Sequence, residues 1–148
     1  MNLLLYRVLW GLGVTSWERM QAFGAEQVSA MFDHEEQGRQ PPYGAALDLG
    51  FGTGFWSVNL AERGWDVTGV EIVPKTLRAA RERAHKAGVE VRFLDGSVAA
   101  LREPRVGSGF RLALDFGTVH GLSPGELKAV AREVNAVTTD ASPSFQTI

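Results

Sequence analysis

The stretch ALDLGFGTGF at residues 46–55 constrains the fold more than any other part of this 148-residue chain. A short apolar strand is predicted at 45–49, and it is followed by three glycines within five positions. A helix is predicted to begin at Phe55. Glycine adopts backbone conformations that other residues avoid and lets a ligand come close to the main chain. A strand, a glycine turn and a helix in this order predict the first unit of a βαβ fold, with a ligand at the turn.

The rest of the sequence alternates between predicted strands and helices. Helices are predicted at 17–37, 55–63, 74–87 and from the cap signal Ser123-Pro-Gly-Glu126 to about Val137, and strands at 45–49, 66–70, 89–94 and 110–114. This order predicts an α/β fold with a doubly wound, Rossmann-like, mostly parallel sheet and helices on both faces. In such sheets ligands bind beyond the carboxyl ends of the strands, so the site is expected in the loops 50–54, 71–74, 95–98 and 115–121.

The length predicts a single domain over residues 1–148. We expect a helical N-terminal cap at 1–40, a ligand-binding core at 41–137 and an irregular tail at 138–148. The apolar start MNLLLYRVLWGLGV is too short to span a bilayer and contains Arg7. It lacks the basic region and cleavage site of a signal peptide, so an amphipathic helix packed on the domain is favoured over anchoring at a membrane surface. A cytoplasmic protein without an integral membrane segment is expected.

Composition narrows the classes of partner and site. The net charge is −2, which gives no electrostatic reason to expect nucleic acid as a partner. Without cysteine the chain has neither disulfides nor thiol catalysis, and its three histidines are too far apart in sequence for a predicted metal site. Five basic residues between 75 and 86 are interpreted as the solvated face of the helix at 74–87, with a phosphate-binding face as the alternative.

Two acidic residues indicate which ligand the glycine turn receives. Asp48 lies within the strand that leads into the glycines, where it would repel a diphosphate but favour a positively charged group. Glu71 ends the second strand, 21 residues after Gly50, where an acid accepts hydrogen bonds from ribose hydroxyls. The spacing is G-x-G-x-G, and bulky Phe55 stands where the dinucleotide fingerprint has its third glycine. S-adenosylmethionine satisfies all these features; a glycine turn without a ligand is the alternative.

These motifs give residues 45–122 a resemblance to class I S-adenosylmethionine-dependent methyltransferases of the small-molecule type. Asp48 and the glycines match the family's first motif, E/D-x-G-x-G-x-G, and Glu71 matches the acid that ends its second strand. Asp115, in LALDFGTVHGL, matches the fourth-strand motif that faces methyl donor and acceptor. The resemblance implies S-adenosylmethionine as cofactor and a small-molecule methyl acceptor. The implied cofactor-binding residues are Asp48, Gly50, Phe51, Gly52, Gly54, Glu71, Ile72, Asp95, Ser97 and Asp115.

The sequence departs from the family pattern in two places. Where the family often has an aspartate near the adenine, this chain has Ser97 in LDGSV, so Ser97 or Asp95 is expected to serve instead. The family also continues beyond the fourth strand with a fifth strand and a hairpin. Here the polar tail, which contains Pro143, predicts a truncated end that lacks the last strands. The fourth strand would then have an open apolar edge through which a homodimer could form.

Methyl transfer from a sulfonium is a direct displacement, so the main task is alignment of the reacting groups. Asp115 and His120 are the candidate catalytic residues. His120 could act as a base, or it could instead cap or pack within its loop. Asp48 is expected to hold the ammonium group of the cofactor, and Glu71 its ribose. Four aromatic residues would form either a lid over an apolar acceptor or ordinary packing: Tyr6, Trp10, Trp17 and Tyr43.

Three other functions are kept as alternatives. The first is a catalytically inactive, truncated cofactor-binding module that self-associates through its open sheet edge. The second is an NAD-dependent oxidoreductase, against which the glycine spacing and Asp48 argue. The third is nucleic-acid methylation, which would add a basic face or an acceptor motif such as N-P-P-Y, and neither occurs near Asp115.

Overall fold

A computed structural model describes residues 24–139 and 144–147. The helices are α1 (Ala25–Glu36), α2 (Phe55–Arg63), α3 (Lys75–Ala87) and α4 (Pro124–Val137), with a 3₁₀ turn at Val119–Gly121. The strands are β1 (Gly44–Leu49), β2 (Trp65–Glu71), β3 (Arg92–Asp95), β4 (Leu112–Asp115) and β5 (Ser144–Thr147). They form one parallel sheet in the order β3-β2-β1-β4-β5. The predicted α/β fold with a Rossmann-like sheet is confirmed.

The strand order places β1 at the point where the chain changes direction across the sheet. From β1 the chain moves outward to β2 and β3, then crosses back to β4 on the other side of β1. In register, Leu49 at the end of β1 lies opposite Val70 of β2 and Asp115 of β4. The loops that follow these three strands therefore meet at the carboxyl edge, where open α/β sheets bind ligands.

Helices cover both faces of the sheet, as predicted. On one face, α4 and the segment 98–106 pack on Leu47, Leu49 and Ala113. On the other face, α1 and α2 cover the side of the sheet that carries Ala46 and Leu112. Helix α3 packs beside them against a smaller cluster that contains Phe93 of β3. Buried apolar residues of alternating orientation along β1 thus anchor both layers.

Local signals fix the ends of two helices. Helix α2 begins after Gly54 and ends at Gly64, and both glycines have left-handed backbone conformations. Helix α4 begins with a capping box, in which the Ser123 side chain accepts from the Glu126 amide and the Glu126 carboxylate accepts from the Ser123 amide. Both starts were predicted from sequence and are confirmed.

Two predicted strands were longer than the observed ones. β3 was expected from 89 but starts at Arg92, because the Val89 amide donates to the Ala84 carbonyl and so completes the end of α3. β4 was expected from Phe110 but starts at Leu112, and Phe110 forms an isolated parallel bridge with Thr138. The end of α3 therefore delays the start of β3, and the bridge with Thr138 leaves Phe110 outside β4.

The expected irregular tail at 138–148 is corrected by β5. Residues Leu112 to Asp115 pair in parallel with Ser144 to Thr147, so β4 has a neighbour on that side. The prediction of an open β4 edge was therefore wrong, and the argument for a homodimer or a self-associating module through that edge falls with it. The polar composition misled because a parallel ladder is made by backbone groups, and Pro143 precedes the paired residues. In the described part of the chain, β5 is the last strand of the sheet.

Several expectations fall on residues that the structure does not describe. They are the apolar start at 1–14, the part of the predicted helix at 17–23, and the proposed lid residues Tyr6, Trp10 and Trp17. Tyr43 is described, and its ring packs against Trp65 at a centroid distance of 5.5 Å. Across residues 24–139 and 144–147, none of the helices combines the length and the apolar character that a bilayer crossing requires.

Candidate active site

A pocket opens at the carboxyl edge of the sheet and draws residues from all four loops in which the site was expected. Its walls are formed by Gly50, Glu71, Ile72, Gly96, Ser97, Val98, Gly117, Thr118, Gly121 and Leu122. Four of these were predicted as cofactor-binding residues: Gly50, Glu71, Ile72 and Ser97. The order of the parallel strands brings these loops together, although they are distant in sequence.

The glycine loop owes its shape to backbone conformations that favour glycine. Gly50, Gly52 and Gly54 all have positive φ, between 54° and 80°. A side chain at Gly54 would also place its Cβ 2.9 Å from the Cβ of Ala80, where α2 and α3 pack closely. Gly52 and Gly54 do not line the pocket wall, and Gly54 instead allows the start of α2 to pack against α3.

Glu71 joins the glycine loop to the end of β2. Its side chain is buried, and its two carboxylate oxygens accept hydrogen bonds from the Gly52 and Val73 amides, each at 3.1 Å. Burial raises the pKa of Glu71, and the two amide donors act in the opposite direction. A carboxylate has about four acceptor positions, so these two bonds leave capacity for hydroxyl groups of a ligand in the pocket.

Asp48 lies behind the glycine loop and outside the pocket wall. It is buried, and the Ser57 hydroxyl at the start of α2 donates to its Oδ2 at 2.6 Å. Burial raises the pKa of Asp48 to about 7, the Ser57 bond lowers it, and the nearby Asp115 and Glu71 carboxylates raise it further. The observed partner of Asp48 is therefore Ser57, and contact with a cofactor ammonium group stays a prediction.

Asp115 is fully buried at the end of β4. Its Oδ1 accepts from the Thr118 and Val119 amides at 3.1 and 3.2 Å, whereas its Oδ2 has no hydrogen-bond partner among the described residues. Burial raises the pKa of Asp115 to about 6, against the lowering effect of the amides and of neighbouring His120. His120 itself is exposed in the 3₁₀ turn. A buried carboxylate oxygen without a donor at this edge suits a ligand that brings one.

Two predicted site residues have side chains directed elsewhere. The Phe51 ring is buried, and its centroid lies 4.7 Å from the centroid of the Phe93 ring. The Phe51 ring also lies over Gly69 of β2, where an added Cβ would come within 2.7 Å of it. The Asp95 carboxylate is largely exposed and forms an ion pair with Arg105 at 3.2 Å. Of the two residues considered for the adenine position, Ser97 lines the pocket and Asp95 does not.

Sequence reasoning missed six wall residues, namely Gly96, Val98, Gly117, Thr118, Gly121 and Leu122. Five of them belong to the predicted loops, so their neighbourhood was expected even though their roles were not. Thr118 carried no local signal, because its hydroxyl donates to the Leu49 carbonyl, 69 residues away in sequence. Such a contact becomes visible only once β4 lies beside β1.

A family model and two known proteins match the sequence of this chain. Residues 46–141 match the family model described as a methyltransferase domain. A demethylmenaquinone methyltransferase from Thermus thermophilus is 37% identical over 93 residues, which cover 53% of this chain and 42% of that protein. A 23S rRNA (uracil(747)-C(5))-methyltransferase from Pyrococcus abyssi is 40% identical over 50 residues, covering 34% of this chain and 12% of that protein. The chain thus spans less than half the length of these two relatives.

Solved structures share the fold over most of the chain. The PH0226 protein from Pyrococcus horikoshii OT3 has a TM-score of 0.70 and 27% identity, covering 82% of this chain and 54% of that one. Magnesium protoporphyrin IX methyltransferase from Synechocystis PCC 6803, solved with S-adenosylhomocysteine, has a TM-score of 0.74 over 93% of this chain and 68% of that one. Its identity is 18%, so that likeness concerns the fold. The family match over residues 46–141, the parallel sheet and the glycine motif together show that this chain belongs to the methyltransferase domain family, as a class I S-adenosylmethionine-dependent member.

Proposed function

We propose that this chain binds S-adenosylmethionine in the pocket at the carboxyl edge and transfers its methyl group to a small molecule. The observation that carries the proposal is the convergence of Gly50, Glu71 and Ser97 from three separate loops on one pocket. Glu71 is held in place by the Gly52 and Val73 amides before any ligand binds. A fixed acid beside an exposed glycine backbone is the arrangement that an adenosine-containing ligand needs.

The residues present fit this cofactor. Glu71 would accept hydrogen bonds from the ribose hydroxyls, and Ile72 and Ser97 would contact the adenine side of the pocket. Asp48 and Asp115 are acidic residues at the ends of β1 and β4, and their ionised forms would favour the ammonium and sulfonium groups of the cofactor. Bound S-adenosylmethionine supplies an activated methyl group.

The chain's own contribution to transfer is mainly alignment, because displacement at the methyl carbon needs the acceptor in line with the sulfur. Asp115 has a pKa of about 6 and is therefore mostly ionised at neutral pH. Its Oδ2 is buried and lies outside the pocket wall, so Asp115 would act on the bound groups through its negative charge. His120 is exposed in the neighbouring 3₁₀ turn and is the candidate base for the acceptor.

A small-molecule acceptor is supported by the Thermus thermophilus relative, whose name gives demethylmenaquinone as its substrate. The rRNA-modifying relative aligns over only 50 residues and 12% of its own length. The net charge of −2 also gives no electrostatic support for an RNA substrate. Demethylmenaquinone analogues, other phenols, amines and a structured RNA should therefore be compared as methyl acceptors.

Calorimetric titration with S-adenosylmethionine and S-adenosylhomocysteine tests the cofactor site. Glu71→Gln should weaken binding by about tenfold or more, since it removes a charge-assisted hydrogen bond worth roughly 1.5–3 kcal/mol. Glu133→Gln is the matched control, because Glu133 is also a buried acid that accepts from a backbone amide, that of Arg102, but lies outside the pocket. Its affinity should equal that of the wild type.

Two outcomes would contradict the proposal. A folded wild-type chain that binds neither compound would remove the cofactor site. Equal weakening by Glu71→Gln and Glu133→Gln would mean that general destabilisation, and not loss of a ligand contact, explains the effect.

A further inference from the structure

Thr118 connects the loop after β4 to the start of the glycine loop. Its hydroxyl donates to the Leu49 carbonyl at 3.0 Å, across the carboxyl ends of two adjacent strands. Leu49 is followed directly by Gly50, and Thr118 and Gly50 are both part of the pocket wall. The hydroxyl therefore bridges two sides of the same pocket.

Gly50 leaves room for the Thr118 hydroxyl because it has no side chain. A Cβ on Gly50 would lie 1.9 Å from the Thr118 Oγ1, which is too close for any side chain, and 3.0 Å from the Thr118 Cβ, which is also a tight contact. The φ of Gly50 is +73°, which independently favours glycine. The threonine thus occupies the space that a side chain at the first glycine would take, and the two loops touch there without a gap.

Thr118 also touches the candidate catalytic residue. Its backbone amide donates to Oδ1 of Asp115 at 3.1 Å, next to the Val119 amide that donates to the same oxygen. This pair of amides fixes one carboxylate oxygen and leaves the other, Oδ2, without a partner. A single residue therefore bonds through its side chain to the cofactor loop and through its backbone to Asp115.

We propose that Thr118 is a positioning residue, whose hydroxyl locks the loop 115–121 against the glycine loop and so sets both the cofactor pocket and the orientation of Asp115. The inference rests on the proposed function for its effect on the cofactor. The loop contact itself belongs to the ligand-free protein. Without the hydroxyl, the Leu49 carbonyl loses a donor and the loop 115–121 loses its bond to β1.

The contact between the loop 115–121 and the glycine loop is tested first, by hydrogen exchange on the full chain without ligand. Thr118→Val keeps the shape of the side chain and removes the hydroxyl, whereas Thr118→Ser keeps the hydroxyl. Thr68→Val is the matched control, because Thr68 is a buried threonine of β2 whose hydroxyl accepts from Arg92 and lies outside the pocket. We expect the amides of Gly50 and Val119 to exchange about tenfold faster in Thr118→Val only. Unchanged exchange, or equal acceleration in Thr68→Val, would show that the Thr118 hydroxyl does not hold the two loops together.

The second measurement is the affinity for S-adenosylhomocysteine by calorimetry. Thr118→Val should weaken it by about tenfold, Thr118→Ser should restore it to within about twofold, and Thr68→Val should leave it unchanged. A Thr118→Val chain with altered exchange and wild-type affinity would overturn the positioning role. A wild-type chain that does not bind would remove the proposed function and the effect on the cofactor together, while the exchange result would still decide whether the lock exists.

Discussion

Three carboxylates, Asp48, Glu71 and Asp115, lie at or next to the ends of the neighbouring strands β1, β2 and β4, and all three are buried. They are held in two ways: Asp48 accepts a hydrogen bond from a hydroxyl, whereas Glu71 and Asp115 each accept from two backbone amides. Burial raises the pKa of all three. Repulsion by the Asp115 and Glu71 carboxylates adds to this at Asp48, so ionising Asp48 is costly, and a positively charged ligand would reduce that cost.

The raised pKa of Asp48 predicts how stability depends on pH. Its value is about 3.8 in the unfolded chain and about 7 in the folded one, so the folded state binds more protons between these limits. Stability should therefore fall as pH rises from about 4 to 7, by at most about 4 kcal/mol from this group. Asp115 adds to the same trend up to about pH 6. The lowered pKa values of Glu126 and Glu133 act in the opposite direction and at more acidic pH.

Urea unfolding at several pH values between 4.5 and 8 would measure this. Asp48→Asn removes one titrating group and keeps an oxygen that can accept from Ser57, so its stability should decline less with pH than that of the wild type. Parallel curves for the two proteins would show that Asp48 is already ionised throughout this range.

Among single residues, the sequence predicts those that belong to a short motif. Of the cofactor-binding residues that the methyltransferase resemblance implied, Gly50, Glu71, Ile72 and Ser97 lie in the pocket wall, and their contact with the cofactor stays a prediction. The resemblance implied a cofactor-binding role for Phe51 as a whole. Only the backbone of Phe51 belongs to the glycine loop, whereas its side chain packs in the core beside Phe93. Thr118 was missed because its partner is distant in sequence.

Among the elements, helix α4 shows how a short signal positions a whole layer. Its capping box fixes the first turn, and Val130 and Val134 then pack against the sheet beside Leu49 and Ala113. Because the capping residues are three positions apart and make their bonds to each other, Ser123-Pro-Gly-Glu126 sufficed to predict the start. β5 had no such signal, since its position depends on pairing with residues of β4 that lie 32 positions earlier in sequence.

Ser123→Ala should reduce the free energy of unfolding by about 1 kcal/mol, because the Glu126 amide loses its acceptor. Ser108→Ala is the control, since Ser108 is exposed in the turn before β4. Thermal or urea unfolding of both variants measures the difference. If the two variants are equally stable, the capping box contributes nothing measurable to the fold.

For the whole molecule, β5 is the element on which the width of the sheet depends. It pairs with β4 along all four residues, including Asp115 opposite Thr147. Shortening the chain to residues 1–143 should expose the edge of β4, lower the stability and promote association. Sedimentation at several concentrations, with a chain of residues 1–147 as control, would reveal this. Identical behaviour of both chains would mean that the β4 edge needs no cover.

The contact of Phe51 with Gly69 has a consequence for how this sequence can change over evolutionary time. Any side chain at Gly69 would collide with the Phe51 ring, and a smaller residue at 51 would leave space above β2. A substitution at either position alone should therefore lower the stability, and the effects of changing both should not simply add. We therefore expect the middle glycine of VTGVE and the phenylalanine of GFGTG to change together, although nothing in their separate motifs connects them.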